Sequence, residues 1–102
     1  MRDIKFRVWD SISEELHSWD KIKHLSLQAF IDLDHYTLMQ YTGLKDKGGV
    51  EIYEGDIVLV PYNRIGFQVV EIVNGSYNIS KYDLKQLEIK GNICQNKELI
   101  KL

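Results

Sequence analysis

Apolar and polar residues alternate along Lys5-Phe6-Arg7-Val8-Trp9-Asp10, with charges at 5 and 7 and apolar side chains at 6, 8 and 9. A period of two puts Phe6 and Val8 on one face of a β-strand, pointing inward. Ser11-Ile12-Ser13-Glu14 reads as a hairpin loop, and Leu16 to Trp19 as the returning strand. The period then changes. Between Lys21 and Leu33 the apolar residues Ile22, Leu25, Leu27, Ala29, Phe30 and Leu33 recur at spacings of three, four and seven. That pattern predicts an amphipathic helix, with Asp20 and Ser26 able to cap helical pieces and Asp32-Leu33-Asp34-His35 ending it.

The second half returns to short strands. Thr37 to Thr42 is rich in β-formers, Gly43 to Lys47 reads as a loop, and Gly48-Gly49 predicts a type I′ turn. Ile52-Tyr53 leads into a second turn at Glu54-Gly55-Asp56, and Ile57 to Val60 is an apolar run of a strand buried on both faces. Pro61 stops that strand or places it at an edge. Gly66 to Val73 predicts a longer strand, Asn74-Gly75 a hairpin turn, and Tyr77 to Ser80 its return. A polar connection, Lys81 to Gln86, precedes an alternating strand from Leu87 past Gly91 to Ile93, and Asn96 can cap a last turn, Lys97 to Leu102. Short strands between glycine turns, about every 8 to 15 residues, predict a mainly β fold with minor α. The expected architecture is a small SH3-like or strongly bent β-barrel, with one helical segment in the first half covering an open end or face. Gly55-Asp56-Ile57-Val58-Leu59-Val60 looks like the Gly-Asp step that opens a strand in SH3-like barrels.

Composition narrows the class. The 102 residues make one domain, 1–102, and the 44% hydrophobic and 27% charged content is that of a globular protein. The net charge of −2 lacks the surplus of Lys and Arg by which non-specific nucleic-acid binders release counterions. Cys94 is the only cysteine, so no internal disulfide forms, and a reducing, cytoplasmic compartment is expected. MRDIKFRVWD carries charges where a signal peptide needs an apolar run, and no apolar stretch approaches about 18 residues, so no membrane association is expected.

Four words stand out: Ile4-Lys5-Phe6-Arg7-Val8-Trp9-Asp10, Gln40-Tyr41-Thr42-Gly43-Leu44-Lys45-Asp46-Lys47, Glu51-Ile52-Tyr53-Glu54-Gly55-Asp56-Ile57-Val58, and Gly91-Asn92-Ile93 with Asn96 and Glu98-Leu99. In order and over nearly the whole chain, these words resemble the YopX family of small proteins of bacteriophages and of prophages of Gram-positive bacteria. The resemblance implies a mostly β fold and a phage setting in a host bacterium, and little mechanism. The chain departs from the family pattern where Asn-Gly is common at Gly48-Gly49, a Tyr at Cys94 and a Pro at Lys97. Both turn pairs tolerate positive φ, so an asparagine side chain has no required role there.

Candidate chemistry is sparse. Asp46, Glu51, Glu54 and Asp56 place four carboxylates within eleven residues, which fits an acid–base pair or a hard-cation site. They fit turn chemistry better, each solvated or accepting from a nearby backbone N–H. His17, His24 and His35 have no zinc-motif spacing. No nucleophile elbow and no phosphate loop occurs, so no enzymatic activity, no cofactor and no metal is expected. Tyr36, Tyr41, Tyr53, Tyr62 and Tyr82 with Lys45, Lys47, Arg64 and Lys81 could stack and neutralise single-stranded nucleic acid, or could be ordinary half-buried strand residues or a protein-binding surface. The sequence thus leads to a non-enzymatic accessory protein acting through macromolecular binding and self-association. A single-stranded nucleic-acid-binding β-barrel is the alternative. Trp9, Trp19, Phe67 and the tyrosines, together with uncovered strand edges, point to a homo-oligomer. The expected binding edge comprises Tyr41, Lys45, Asp46, Lys47, Tyr53, Glu54 and Asp56, facing a host or phage protein.

Overall fold

The structure, a computed structural model, describes residues 4–61 and 66–100. Strands β1 (Phe6–Asp10) and β2 (Glu15–His17) are followed by short helices α1 (Trp19–Ile22) and α2 (Leu27–Asp32). Then come β3 (Tyr36–Lys45), β4 (Glu51–Tyr53), β5 (Asp56–Leu59), β6 (Phe67–Val69), β7 (Ile72–Val73), β8 (Ser76–Tyr77) and β9 (Glu88–Asn92). Single 3-10 turns lie at Leu84–Gln86 and Lys97–Ile100. The expected class, mainly β with minor α, is what the molecule has. The chain divides into two compact units, Met1–Tyr41 and Thr42–Leu102, and β3 runs from the first into the second.

In the first unit β1 is the central strand, antiparallel to β2 through Val8↔His17 and to β3 through Phe6↔Gln40 and Asp10↔Tyr36. Val8 is buried and Phe6 packs against the same cluster, as the alternation requires. The returning strand is shorter than expected: it ends at His17, and Trp19 begins α1. The helical segment is also broken. Ser18 rather than Asp20 holds the N-cap position of α1, and Ser26 holds that of α2, both extended and without a side-chain cap hydrogen bond. Serine competes for its own backbone and favours such interruptions over a helix interior. The break leaves each piece one buried anchor, Ile22 and Phe30, which join Val8 while Leu25 and Leu33 stay exposed. Burying an anchor of this size contributes about 1.5–3 kcal/mol. Tyr36 meets Phe30 edge to face at 4.9 Å, a favoured aromatic geometry.

In the second unit β5 lies between β6 and β9, all antiparallel. Its register against β9 shifts between Ile57 and Val58, which leaves Lys90 as an extra residue in β9, a bulge of the kind that bends the strand carrying it. Ile57, Val58 and Val60 are buried, as the apolar run demands. The core is Ile52, Val58, Val60, Val70, Ile79 and Leu87, with Leu44, Tyr77 and Tyr82 among the side chains packed on it. The long strand expected over Gly66 to Val73 is split into β6 and β7: Val70 N–H still donates to Asp56 O in register with β5, and the pairing with β5 goes no further. Asn78 takes over the stranded backbone: its Nδ2 donates to Val69 O at 2.7 Å, and its Oδ1 accepts from Glu71 N–H at 3.1 Å. Asn74-Gly75 forms the expected hairpin turn, with φ of +53° and +83°. At the C-terminal end the side chain of Asn96 lies where a Cβ on Gly91 would stand, and its Oδ1 accepts from Asn92 N–H. That close approach accounts for a glycine five residues before an asparagine in the last of the four sequence words. Of the expected final turn, Lys101 and Leu102 lie outside the described residues.

Candidate functional site

The loop from β3 to β4 is built around Asp46. It was expected as a two-residue type I′ turn at Gly48-Gly49, which needs positive φ at both; only Gly49 has it, at +81°. Asp46 N–H donates to Val50 O and Gly49 N–H to Asp46 O, so Lys47, Gly48 and Gly49 form a three-residue connection. This is the hairpin loop in which a type I turn is followed by one left-handed residue. The Asp46 carboxylate holds it: Oδ1 accepts from Gly48 N–H at 2.9 Å and Val50 N–H at 3.0 Å. Oδ2 accepts from Ile89 N–H of β9 at 3.1 Å. Lys47 adds two further ties to that end of the unit, through its N–H to Leu87 O at 2.9 Å and its ammonium to Glu88 at 3.5 Å.

These contacts set the electrostatics. Burial opposes the charge on Asp46, but the N–H groups of Ile89, Val50 and Gly48 and the nearby Lys47 outweigh it and hold the carboxyl below its usual value. Glu88 is likewise lowered, first by its hydrogen bond from Lys90 at 2.9 Å and then by Lys47. Directly before the loop, buried Thr42 donates its hydroxyl to Ile52 O at 2.7 Å and accepts from Leu44 N–H. Directly after it, Asp56, 2% exposed, accepts from Tyr53 N–H at 2.8 Å across Gly55, whose φ is +84°.

The seven residues expected as one exposed edge therefore differ in kind. Lys45 and Lys47 are exposed and Glu54 is half-buried. Asp46, Tyr53 and Asp56 are buried, because the turns consume their hydrogen-bonding groups or pack their side chains inward. Tyr41 belongs to the first unit, is buried there, and has the Lys5 ammonium 4.9 Å from its ring centre. Charged loop residues expected to be solvated thus include one, Asp46, that is structural. The four carboxylates do not converge: among the described residues no three His, Cys, Asp or Glu side chains are grouped to hold a metal ion.

The aromatic–basic face fares similarly. Tyr41 and Tyr53 are buried, so their rings are not open to a base, and Tyr82 is half-buried with its hydroxyl donating to Gln68. Tyr62 and Arg64 lie outside the described residues. No helix among the described residues is long and apolar enough to cross a membrane. Sequence reasoning missed Thr42, Asn78 and the Asp46–Ile89 tie. An Asp just before a glycine turn hints at the local half of that last device, while its partner 43 residues away has no local signal.

No curated protein matches the chain. Among solved structures, the crystal structure of protein EF1440 from Enterococcus faecalis is similar over 99% of this chain and 100% of that one. Its TM-score is 0.69 and its identity 23%, a likeness of fold. The family described as YopX protein matches residues 7–101, a span that takes in the β3–β4 loop, the Gly55 turn and the Gly91–Asn96 closure, and the chain belongs to that family.

Proposed function

We propose that the chain is a non-enzymatic accessory protein of a bacteriophage or prophage, working in the host cytoplasm by binding a macromolecular partner and by associating with itself. The observation that carries the binding part is the β3–β4 loop. Its backbone is fixed by three N–H groups on one buried carboxylate, while Lys45, Lys47 and Val50 beside it remain exposed. A loop already held in one conformation loses little entropy on docking. On this reading Asp46, Tyr53 and Asp56 are the frame, and the edge a partner meets narrows to Lys45, Lys47 and Glu54.

Lys45→Ala with Lys47→Ala should leave the melting curve unchanged, since exposed charge pairs contribute under about 1 kcal/mol. The same pair should weaken binding to a host or phage protein recovered by affinity capture and re-measured with purified components. Unchanged affinity would reduce the loop to a connector. The self-association part rests on different residues from those expected. Trp9, Trp19 and Phe67 are half-buried, and among the described residues the large exposed apolar side chains are aliphatic: Ile4, Ile12, Leu25, Ile31 and Leu33 in the first unit, Val50, Ile72 and Val73 in the second. Light scattering over a concentration series should show a mass rising above 12.0 kDa; a constant mass ends this part.

A further inference from the structure

We infer that the β3–β4 loop and β9 together receive an acidic protein segment, and that Glu88 is an internal stand-in for a carboxylate of that segment. This inference rests on the binding function proposed above and names its partner's chemistry. The Lys47 ammonium lies 3.5 Å and the Lys90 ammonium 2.9 Å from the same oxygen, Glu88 Oε1. The two lysines come from different elements, and the fold brings them together. Lys47 N–H on Leu87 O at 2.9 Å and Ile89 N–H on Asp46 Oδ2 at 3.1 Å clip the loop along β9. Lys90 is the extra residue where the register of β9 against β5 shifts, and such bulges re-aim a side chain. The three charged side chains are between 38% and 51% exposed, so an approaching group can reach them.

The site already shows what it accepts. Ammoniums donate charge-assisted hydrogen bonds to carboxylates, and here one acid faces two bases. Lys45 adds an exposed ammonium at the end of β3, whereas the Asp46 carboxylate is turned onto the N–H groups of Gly48, Val50 and Ile89. Val50, 55% exposed, gives the loop an aliphatic contact. Nucleic acid would draw instead on open rings and a surplus of cations. Tyr53, in the strand after the loop, is buried, and the chain carries a net charge of −2. That net charge gives an acidic chain no long-range attraction, so binding has to come from these side chains. An incoming carboxylate must displace Glu88 or share its lysines, which makes Glu88 a brake on the site.

Fluorescence anisotropy tests this with a labelled peptide of alternating Glu and Val, its Gln/Val counterpart and a labelled oligothymidylate. The Glu/Val peptide should bind, more weakly as salt rises, and better than the other two. Glu88→Gln releases both lysines while keeping them, and should tighten the Glu/Val peptide about threefold; Lys90→Ala should weaken it by about as much. Unchanged or weaker binding by Glu88→Gln overturns the inference. So does a wild type that fails to bind the Glu/Val peptide, or binds either other probe as well. Should Glu88→Gln fail to fold, Lys90→Ala decides: weaker binding supports the site and unchanged binding overturns it. A purified partner separates this inference from the function beneath it. If its affinity falls with Lys45→Ala/Lys47→Ala but ignores both Lys90→Ala and Glu88→Gln, the loop edge stands and this site does not.

Discussion

Asp10 and Asp46 each stand where a strand gives way to a loop, and each turns its carboxylate back onto the amides that follow. Asp10 accepts from Ile12 N–H at 2.9 Å and Ser13 N–H at 3.3 Å. Asp46 accepts from Gly48 and Val50 in the same manner, then uses its second oxygen on Ile89, 43 residues along the chain. Asp10 therefore closes a loop, whereas Asp46 closes a loop and pins it to another strand. Both carboxyls lie below their usual value. Burial pushes against the charge in each case; Ser13 and Ile12 amides, the Ser13 hydroxyl and His35 outweigh it for Asp10, and Ile89, Val50, Gly48 and Lys47 do so for Asp46. The same local device acquires structural weight only when a distant strand supplies a donor.

The strongest way to break this comparison is Asp46→Ala. It strands three amide donors, at least one of them at a packed strand, and should lower unfolding stability by about 2–4 kcal/mol in a denaturant titration. A loss no larger than that of Asp10→Ala would erase the distinction. Gly55→Val comes next. The turn before Asp56 needs φ near +84°, which a β-branched residue adopts only with strain of about 1–3 kcal/mol. Its melting point should fall by several degrees.

Acid unfolding sharpens the comparison further. A carboxyl whose folded value is lowered adds stability that is present above its unfolded value, near 3.9, and is lost as pH falls through the lower folded value. Stability of the wild type should therefore decline below about pH 4, and Asp46→Asn should flatten that decline more than Asp10→Asn. Equal slopes for the two variants would show that the Ile89 N–H adds nothing to the stability of the Asp46 charge. Asp10→Ala should have a small effect on chemical denaturation, because the freed amides of an exposed loop reach water. The least effect belongs to Gly48→Asn: φ at Gly48 is not positive and the nearest atom to an added Cβ is Asp46 Oδ1 at 3.5 Å, so a shift beyond about 0.5 kcal/mol would show a tighter loop than these distances describe.

How far the candidate site was legible follows from the same contrast. Phe6 and Val8, the apolar run at Ile57 to Val60, and the Asn74-Gly75 turn were readable because each is decided within a few residues. The helix over Lys21 to Leu33 was not, since its periodicity is compatible with one continuous stripe and only packing against Val8 selects Ile22 and Phe30 as anchors. The binding edge was half legible: Lys45 and Lys47 are exposed loop lysines, but nothing in the letters Lys45-Asp46-Lys47 marks the middle one as buried.

By itself the sequence determined the class of the chain, its turns and its family, because strand alternation, glycine and asparagine at turns and four ordered words are local or linear properties. Only the tertiary structure decided where a strand would stop and which charge would go inside. Asn78 replaces the ladder between Val69 and Glu71, and Ile89 draws Asp46 inward, because a backbone N–H removed from water must find an acceptor wherever the fold provides one.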